Sequence, residues 1–216
     1  SIDQHGNRSD IAKKTAVIDR RKPVLPNLIG VEEGGKYQEN VSIQFQRSQR
    51  PIEIAYTYST DGTEPDNPTL QSARVNESVT FNGIDGRKLN YRVKFLPIIS
   101  DTGIAGDIQE LSFSIDQAPP ELPEIKGITH NRSYAGDLLI ELKPNEKSDI
   151  LYYVIGEPGR DITDPITEGI IYNAPIYLTS ADNTEITYFL HIAVKDEVGN
   201  VTYSPRPTAF TIDKSI

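Results

Sequence analysis

What most constrains this chain is a long internal repeat. Pro26 recurs as Pro123, Gly30 as Gly127, Tyr37 as Tyr134, Ile43 as Ile140, Tyr91 as Tyr188, Phe113 as Phe210, Ile115 as Ile212 and Asp116 as Asp213, always 97 residues later, as 127 minus 30 shows. Chance does not hold one register over so long a span, so one structural unit is written twice. In the middle a spacing of 96 pairs Ile54 with Ile150 and Tyr56 with Tyr152, which reads as a one-residue change absorbed by a loop. The rule extends to the N-terminus. Ile18, Asp19 and Pro23 lie 97 before Ile115, Asp116 and Pro120, and Asp3, Gly6 and Asn7 lie 193 before Asp196, Gly199 and Asn200. Residues 1–22 therefore read as the tail of a preceding repeat, 23–117 as one whole repeat and 118–216 as a second.

Within each unit the apolar period is two. Val41, Ile43 and Phe45 alternate with Ser42, Gln44 and Gln46, and the same alternation runs through Ile52, Ile54, Tyr56, Tyr58, through Tyr91, Val93, Phe95 and through Leu111, Phe113, Ile115. These are half-buried strands, and no window of ten residues carries a helical stripe. The segment Ile150–Ile155 is apolar on both faces, which predicts a more enclosed sheet in the second unit. Turn pairs such as Asp61-Gly62, Asn82-Gly83 and Asp85-Gly86 punctuate the strands. About seven short strands per unit predict an all-β chain of two tandem immunoglobulin-like β-sandwich domains preceded by a remnant of a third repeat. Tyr91 and Tyr188, each opening a late strand, are candidates for the corner hydrogen bond of such sandwiches, or are ordinary core tyrosines. The connectors Arg20–Pro26 and Gln117–Pro123 are rich in proline, so they predict short stiff spacers and an elongated array with limited contact between domains.

Composition removes whole classes of function. A formal charge of -9, with no basic cluster longer than Arg20-Arg21-Lys22, offers nucleic-acid phosphates little counter-charge. No apolar run approaches the roughly 18 residues of a membrane helix, so no direct membrane insertion is expected. Absence of cysteine removes disulfides, thiol nucleophiles and thiolate metal sites. Methionine is also absent, even at position 1, so the chain reads as a processed or excised piece.

Catalysis finds little to work with. There is no Gly-x-Ser-x-Gly and no paired-histidine metalloprotease motif, and the histidines are only His5, His130 and His191. His130 falls in a turn and reads as solvated, and His191, on the strand face opposite Leu190 and Ile192, reads as a surface or intersheet polar residue; the chain is expected not to be an enzyme and to need no cofactor. Calcium is the sharper alternative. Asp61, Glu64 and Asp66 place hard oxygens close together beside a glycine turn, yet Asp61-Gly62 is also a strong hairpin signal, and turn chemistry is the favoured reading. Glycan binding is a further possibility. Trp is absent and most of the 11 Tyr fall on the inward-facing phase, while the 96 spacing sets Tyr153 opposite Thr57. Five Asn-x-Ser/Thr sequons, at Asn7, Asn40, Asn76, Asn131 and Asn200, read as by-products of polar turns.

The stretch Ile54-Ala-Tyr-Thr-Tyr58-Ser-Thr-Asp61-Gly-Thr-Glu64-Pro65 resembles the YYTxDGTxP pattern of the chitobiase/β-hexosaminidase C-terminal-type domain. The second unit has lost that turn but keeps Asp196-Glu-Val-Gly199-Asn200, which resembles the AxDxxGNxS signature of Ig-like repeats in bacterial surface proteins. The resemblance covers nearly the whole chain and implies a bacterial, extracellular or cell-envelope setting. It implies a non-catalytic spacer or binding module that presents a distal domain or loops, with neighbouring repeats of the parent protein, a surface protein or a glycan as partners. The alternative it implies is an accessory, carbohydrate-binding domain pair of a secreted glycoside-active enzyme.

Overall fold

The computed structural model describes residues 4–6, 20–48, 50–147, 149–157, 159 and 163–215. In the first repeat the strands are β1 (Leu28–Ile29), β2 (Gly35–Tyr37), β3 (Val41–Phe45), β4 (Ile52–Ser59), β5 (Arg74–Val75), β6 (Ser78–Phe81), β7 (Lys88–Ile99) and β8 (Gln109–Asp116). The second repeat holds β9 (Glu124–Lys126), β10 (Arg132–Tyr134), β11 (Leu138–Lys143), β12 (Ile150–Gly156), β13 (Ile170–Ile171), β14 (Ile176–Leu178), β15 (Glu185–Lys195), β16 (Val201–Tyr203) and β17 (Thr208–Asp213). One helical turn, α1 (Pro165–Glu168), starts where the Asp164 carboxylate accepts the Ile166 amide at 2.8 Å.

Alternating side chains build each sandwich. The pattern of β3 is buried, exposed, buried, exposed, buried, and β11 repeats it. In the first repeat a sheet ordered β1-β3-β6 faces one ordered β2-β8-β7-β4-β5, and in the second β9-β11-β14 faces β10-β17-β15-β12-β13, with β16 added beside β15. Both repeats therefore share one strand order, that of an immunoglobulin-like sandwich, including the short strand near the start that leaves the first sheet to pair in parallel with the last strand. Between the sheets lie two separate cores, one around Ile43, Val93, Phe95 and Ile115, the other around Ile140, Leu190, Phe210 and Ile212.

Strand pairing corrects the 96 spacing. Ile54 is 1% exposed and lies opposite Pro97; Leu151 is 3% exposed and lies opposite Val194, 97 after Pro97. Ile54 therefore matches Leu151, and Tyr56 matches Tyr153, while Ile150 is left 41% exposed. The reason is the strand period: a slip of one residue would turn the whole apolar set of β12 toward water. Tyr153 thus has an aromatic counterpart after all. On the other face of β12, Tyr152 and Val154 are half-buried, and α1 packs on β12 and β15.

Repeated residues have shared mechanical tasks. Gly30 and Gly127 both hold a left-handed backbone, φ 91° and 90°, and a Cβ would stand 2.6 Å from Ser42 O or 2.0 Å from Leu139 O. The Tyr37 hydroxyl accepts the Glu32 amide at 2.9 Å, and the Tyr134 hydroxyl accepts the Thr129 amide at 2.7 Å. The expected preceding-repeat tail, with an extended segment at Ala16, Val17 and Ile18, lies outside the described residues. What is described of the connector is docked, since Pro23 is buried and its carbonyl leaves no room for a Cβ on Gly106.

Candidate functional site

The richest polar constellation sits where the two repeats meet. Parallel pairing of β2 on β8, with Tyr37 opposite Ile115, carries Gln38 up beside Asp116 at the end of the first sandwich. From the second sandwich comes the turn after β15. Its Asp196 Oδ1 accepts three successive backbone amides, those of Val198 at 3.0 Å, Gly199 at 2.7 Å and Asn200 at 2.8 Å. Gly199 meets the tight turn with φ 108°. The turn is thereby preorganised to project Glu197 and Asn200.

Asn200 then uses its whole amide. Its Nδ2 donates to Asp196 Oδ2 at 2.8 Å and, across the junction, to the Asp116 carbonyl at 2.9 Å, while its Oδ1 accepts from Gln38 Nε2 at 2.9 Å. Lys36 Nζ lies 2.7 Å from both carboxylate oxygens of Glu197. Gln38 is itself held, because its carbonyl accepts from Gln117 Nε2 at 3.1 Å. Contact between the strands of the two repeats stays limited, but prolines are not all that spans the joint, since side chains of both repeats meet there.

Beside this clamp a cavity of about 430 Å³ is lined by Asp116, Glu121, Glu146, Asp149, Asp196 and Glu197 together with Lys88 and the connector prolines Pro119 and Pro120. Lys88 bonds Asp116 at 2.9 Å, and that hydrogen bond, helped by the charges of Glu197 and Glu146 and opposed by burial, holds its ammonium above the usual lysine range. The acidic walls therefore carry a built-in counter-ion.

The sequence-derived calcium residues go elsewhere. Asp61 Oδ1 accepts the Thr63 hydroxyl at 2.6 Å and amide at 3.0 Å, bonds that hold its carboxyl below the usual range. Glu64 is paired at 2.7 Å with Lys94, whose side chain is 5% exposed and also donates to Asn67 Oδ1 at 2.9 Å. Asp66 is engaged through its carbonyl, which accepts from Thr57. Among the described residues no three acidic or histidine side chains form a group able to hold a metal. In this loop Lys94 supplies the cation that Glu64 pairs with. The Asp-Gly-Thr-x-Pro signature is a loop lock, closed further by Gly62 and Asn90 exchanging backbone bonds with β7 and the loop, and by buried Pro65.

Histidines and corner tyrosines are placed as follows. His130 Nδ1 accepts the Ala209 amide at 3.1 Å, fastening a turn, and half-buried His191 lies 6.4 Å from the Tyr203 ring. Tyr91 donates to the Asn82 carbonyl at 2.7 Å, the corner bond of an immunoglobulin-like sandwich. Tyr188 makes no such bond to the described residues and stacks on Phe210 instead. Lys36, Gln38 and Lys88 carried no signal of their own in the sequence. The signal that pointed to them is indirect: Asp196-x-x-Gly199-Asn200 has no copy 97 residues earlier, where Ile99, Thr102 and Gly103 stand.

No family profile matches the chain, and no curated protein matches it. Among solved structures, a crystal structure of the chicken CNTN1 FN1-FN3 domains is similar at 12% identity and a TM-score of 0.36, over 89% of this chain and 68% of that chain. A likeness so loose speaks to neither family nor function, and the chain stands, on its own strand order, as two tandem immunoglobulin-like sandwiches.

Proposed function

We propose that this chain is a non-catalytic spacer and binding module of a secreted or cell-surface bacterial protein, in which tandem sandwiches hold a distal part at a set orientation. The observation that supports it is the clamp at the joint. A spacer transmits orientation only if successive domains cannot swivel, and Asn200 bonds across the joint through both ends of its amide, to Gln38 and to the Asp116 carbonyl, while Asp196 of its own turn holds it in place. The resemblance of Ile54–Pro65 to the chitobiase C-terminal-type domain and of Asp196–Asn200 to bacterial surface repeats supports the setting, outside the cell or in its envelope. No helix among the described residues is long and apolar enough to cross a membrane.

The reading is tested by spin-label distances between Ser42 and Glu141, each changed to cysteine in the intact chain. A single narrow distribution that broadens in Asn200→Ala with Glu197→Ala is expected. A wild-type distribution already as broad as that of the double variant would overturn it. An accessory role beside a carbohydrate-active enzyme is the second reading, favoured by an aromatic slot in the first repeat.

A further inference from the structure

We propose that the first repeat binds the neutral pyranose ring of a glycan in a slot between β4 and β6, at the open rim of the sandwich. The slot has a volume of about 290 Å³, close to the lower size bound of small-ligand pockets. Tyr56, Tyr58 and Phe81 wall it. The Tyr56 and Tyr58 rings lie 6.4 Å apart and nearly parallel at 15°, and Phe81 stands edge-on to Tyr58 at 5.5 Å. Packing on Phe81 and on Tyr91, 5.9 Å away, fixes the Tyr58 ring while leaving the residue 51% exposed. A large aromatic side chain held in one orientation but half in water is a ready platform, since little side-chain entropy remains to be lost on binding.

The second repeat supplies an internal control. Tyr58 lies opposite Val93 and Ile155 opposite Leu190, 97 later; Phe81 lies opposite Val41 and Leu178 opposite Leu138, again 97 later. The same rim is thus closed by Ile155 and Leu178, both half-buried aliphatics. Tyr56 and Tyr91 keep aromatic counterparts in Tyr153 and Tyr188, but the sandwich does not require rings at the Tyr58 and Phe81 positions, and of the two repeats the first has them there.

Ligand chemistry follows from the lining. No acidic or basic side chain borders the slot, which disfavours a charged ligand. The side chains of Thr60 and Asn82 stand exposed at its mouth, and with the Tyr58 hydroxyl they make no hydrogen bond to the described residues. Uncharged donors and acceptors around flat aromatic faces suit a ring that offers C–H on its face and hydroxyls on its edge. A neutral pyranose is such a ring. This site goes beyond the spacer reading and is independent of it, because it lies within one sandwich and away from the joint.

The test is saturation-transfer NMR on the intact chain with methyl β-glucoside, methyl N-acetyl-β-glucosaminide, methyl β-galactoside and methyl α-mannoside as probes. At least one is expected to bind saturably with a Kd of about 1 mM, as few contacts allow. Tyr58→Leu, which keeps an apolar wall but removes the flat face, should weaken it about tenfold, a loss of roughly 1.4 kcal/mol. Tyr177→Leu, at an exposed tyrosine of the second repeat, should leave it unchanged. Tyr58→Phe, which keeps the ring, should retain most of the affinity, so that a loss in Tyr58→Leu is not mistaken for misfolding. Absence of saturable transfer from all four probes, or binding indifferent to Tyr58→Leu, would overturn the proposal; neither result touches the joint.

Discussion

Gly127 illustrates how a single atom decides a strand junction. Its φ of 90° is open to glycine, and a Cβ there would stand 2.0 Å from the Leu139 carbonyl, so the backbone of β11 must shift for any other residue. Gly127→Ala should destabilise the second repeat by about 1–3 kcal/mol, read from urea unfolding, with Gly30→Ala somewhat milder because its clash, at 2.6 Å with Ser42 O, is less severe. The two corner candidates make a second paired prediction. Tyr91→Phe removes a hydrogen bond to Asn82 and should cost about 1 kcal/mol, whereas Tyr188→Phe removes none to the described residues and should be close to neutral. Equal costs would mean that the Tyr91 bond contributes nothing.

At the level of elements, two polar knots tie strands to loops. Asp137, just before β11, accepts from Lys214 Nζ at 2.6 Å, Tyr177 Oη at 2.6 Å and Thr179 Oγ1 at 2.7 Å, joining the two sheets of the second sandwich at one pole. Those bonds, with Lys214 foremost, hold the Asp137 carboxyl well below its usual range. Because the unfolded chain then takes up that proton first, the stabilisation is fully present above the unfolded value of about 3.9 and is lost as pH falls through the lower folded value. Acid unfolding of the second repeat should therefore steepen below about pH 4, and Asp137→Asn should lower the neutral-pH melting midpoint while flattening that slope. The second knot is Lys94 under the Asp61–Asp66 loop. With an ammonium already seated between Glu64 and Asn67, melting midpoints in EGTA and in excess calcium should coincide. A rise with calcium would return the loop to the metal sites.

On the scale of the whole molecule the question is what holds one sandwich against the other. Pro119, Pro120 and Pro123 stiffen the connector, while Lys36, Gln38, Glu197 and Asn200 bridge it. Changing the three prolines to glycine should widen the interdomain distance distribution less than Asn200→Ala does, as read by spin-label distances, because the clamp spans the joint even when the connector is supple. In Asn200→Ala each core should melt nearly as before, since Asn200 belongs to neither, whereas in the proline variant the second core should lose some stability, because Pro123 is buried and its neighbour Leu122 packs on that core. The opposite order would make the prolines the true determinant of orientation.

Much of this architecture is legible in the chain, and the reason is local. A period of two marks strands wherever one face is buried, and a spacing of 97 marks two copies; both depend only on which residues neighbour which along the sequence. Gly30 with Gly127 and Tyr37 with Tyr134 announce themselves by recurrence, because each copy must solve the same steric problem. The β12 register was misread because Ile150 and Leu151 are both apolar, so the sequence permits either phase, and only pairing with β15 decides which one faces the core. The carboxylates of Asp61, Glu64 and Asp66 look alike in sequence; Lys94, far along the chain on β7, sets Glu64 apart as an ion-pair partner. The joint lies beyond sequence altogether, since Lys36 and Glu197 or Gln38 and Asn200 become neighbours only after two separate cores have formed. Strand phase and repeat number were thus set by short-range chemistry along the chain, whereas register, charge pairing and the bonds across the joint were decided by tertiary structure, because each depends on groups that only folding brings within hydrogen-bonding distance.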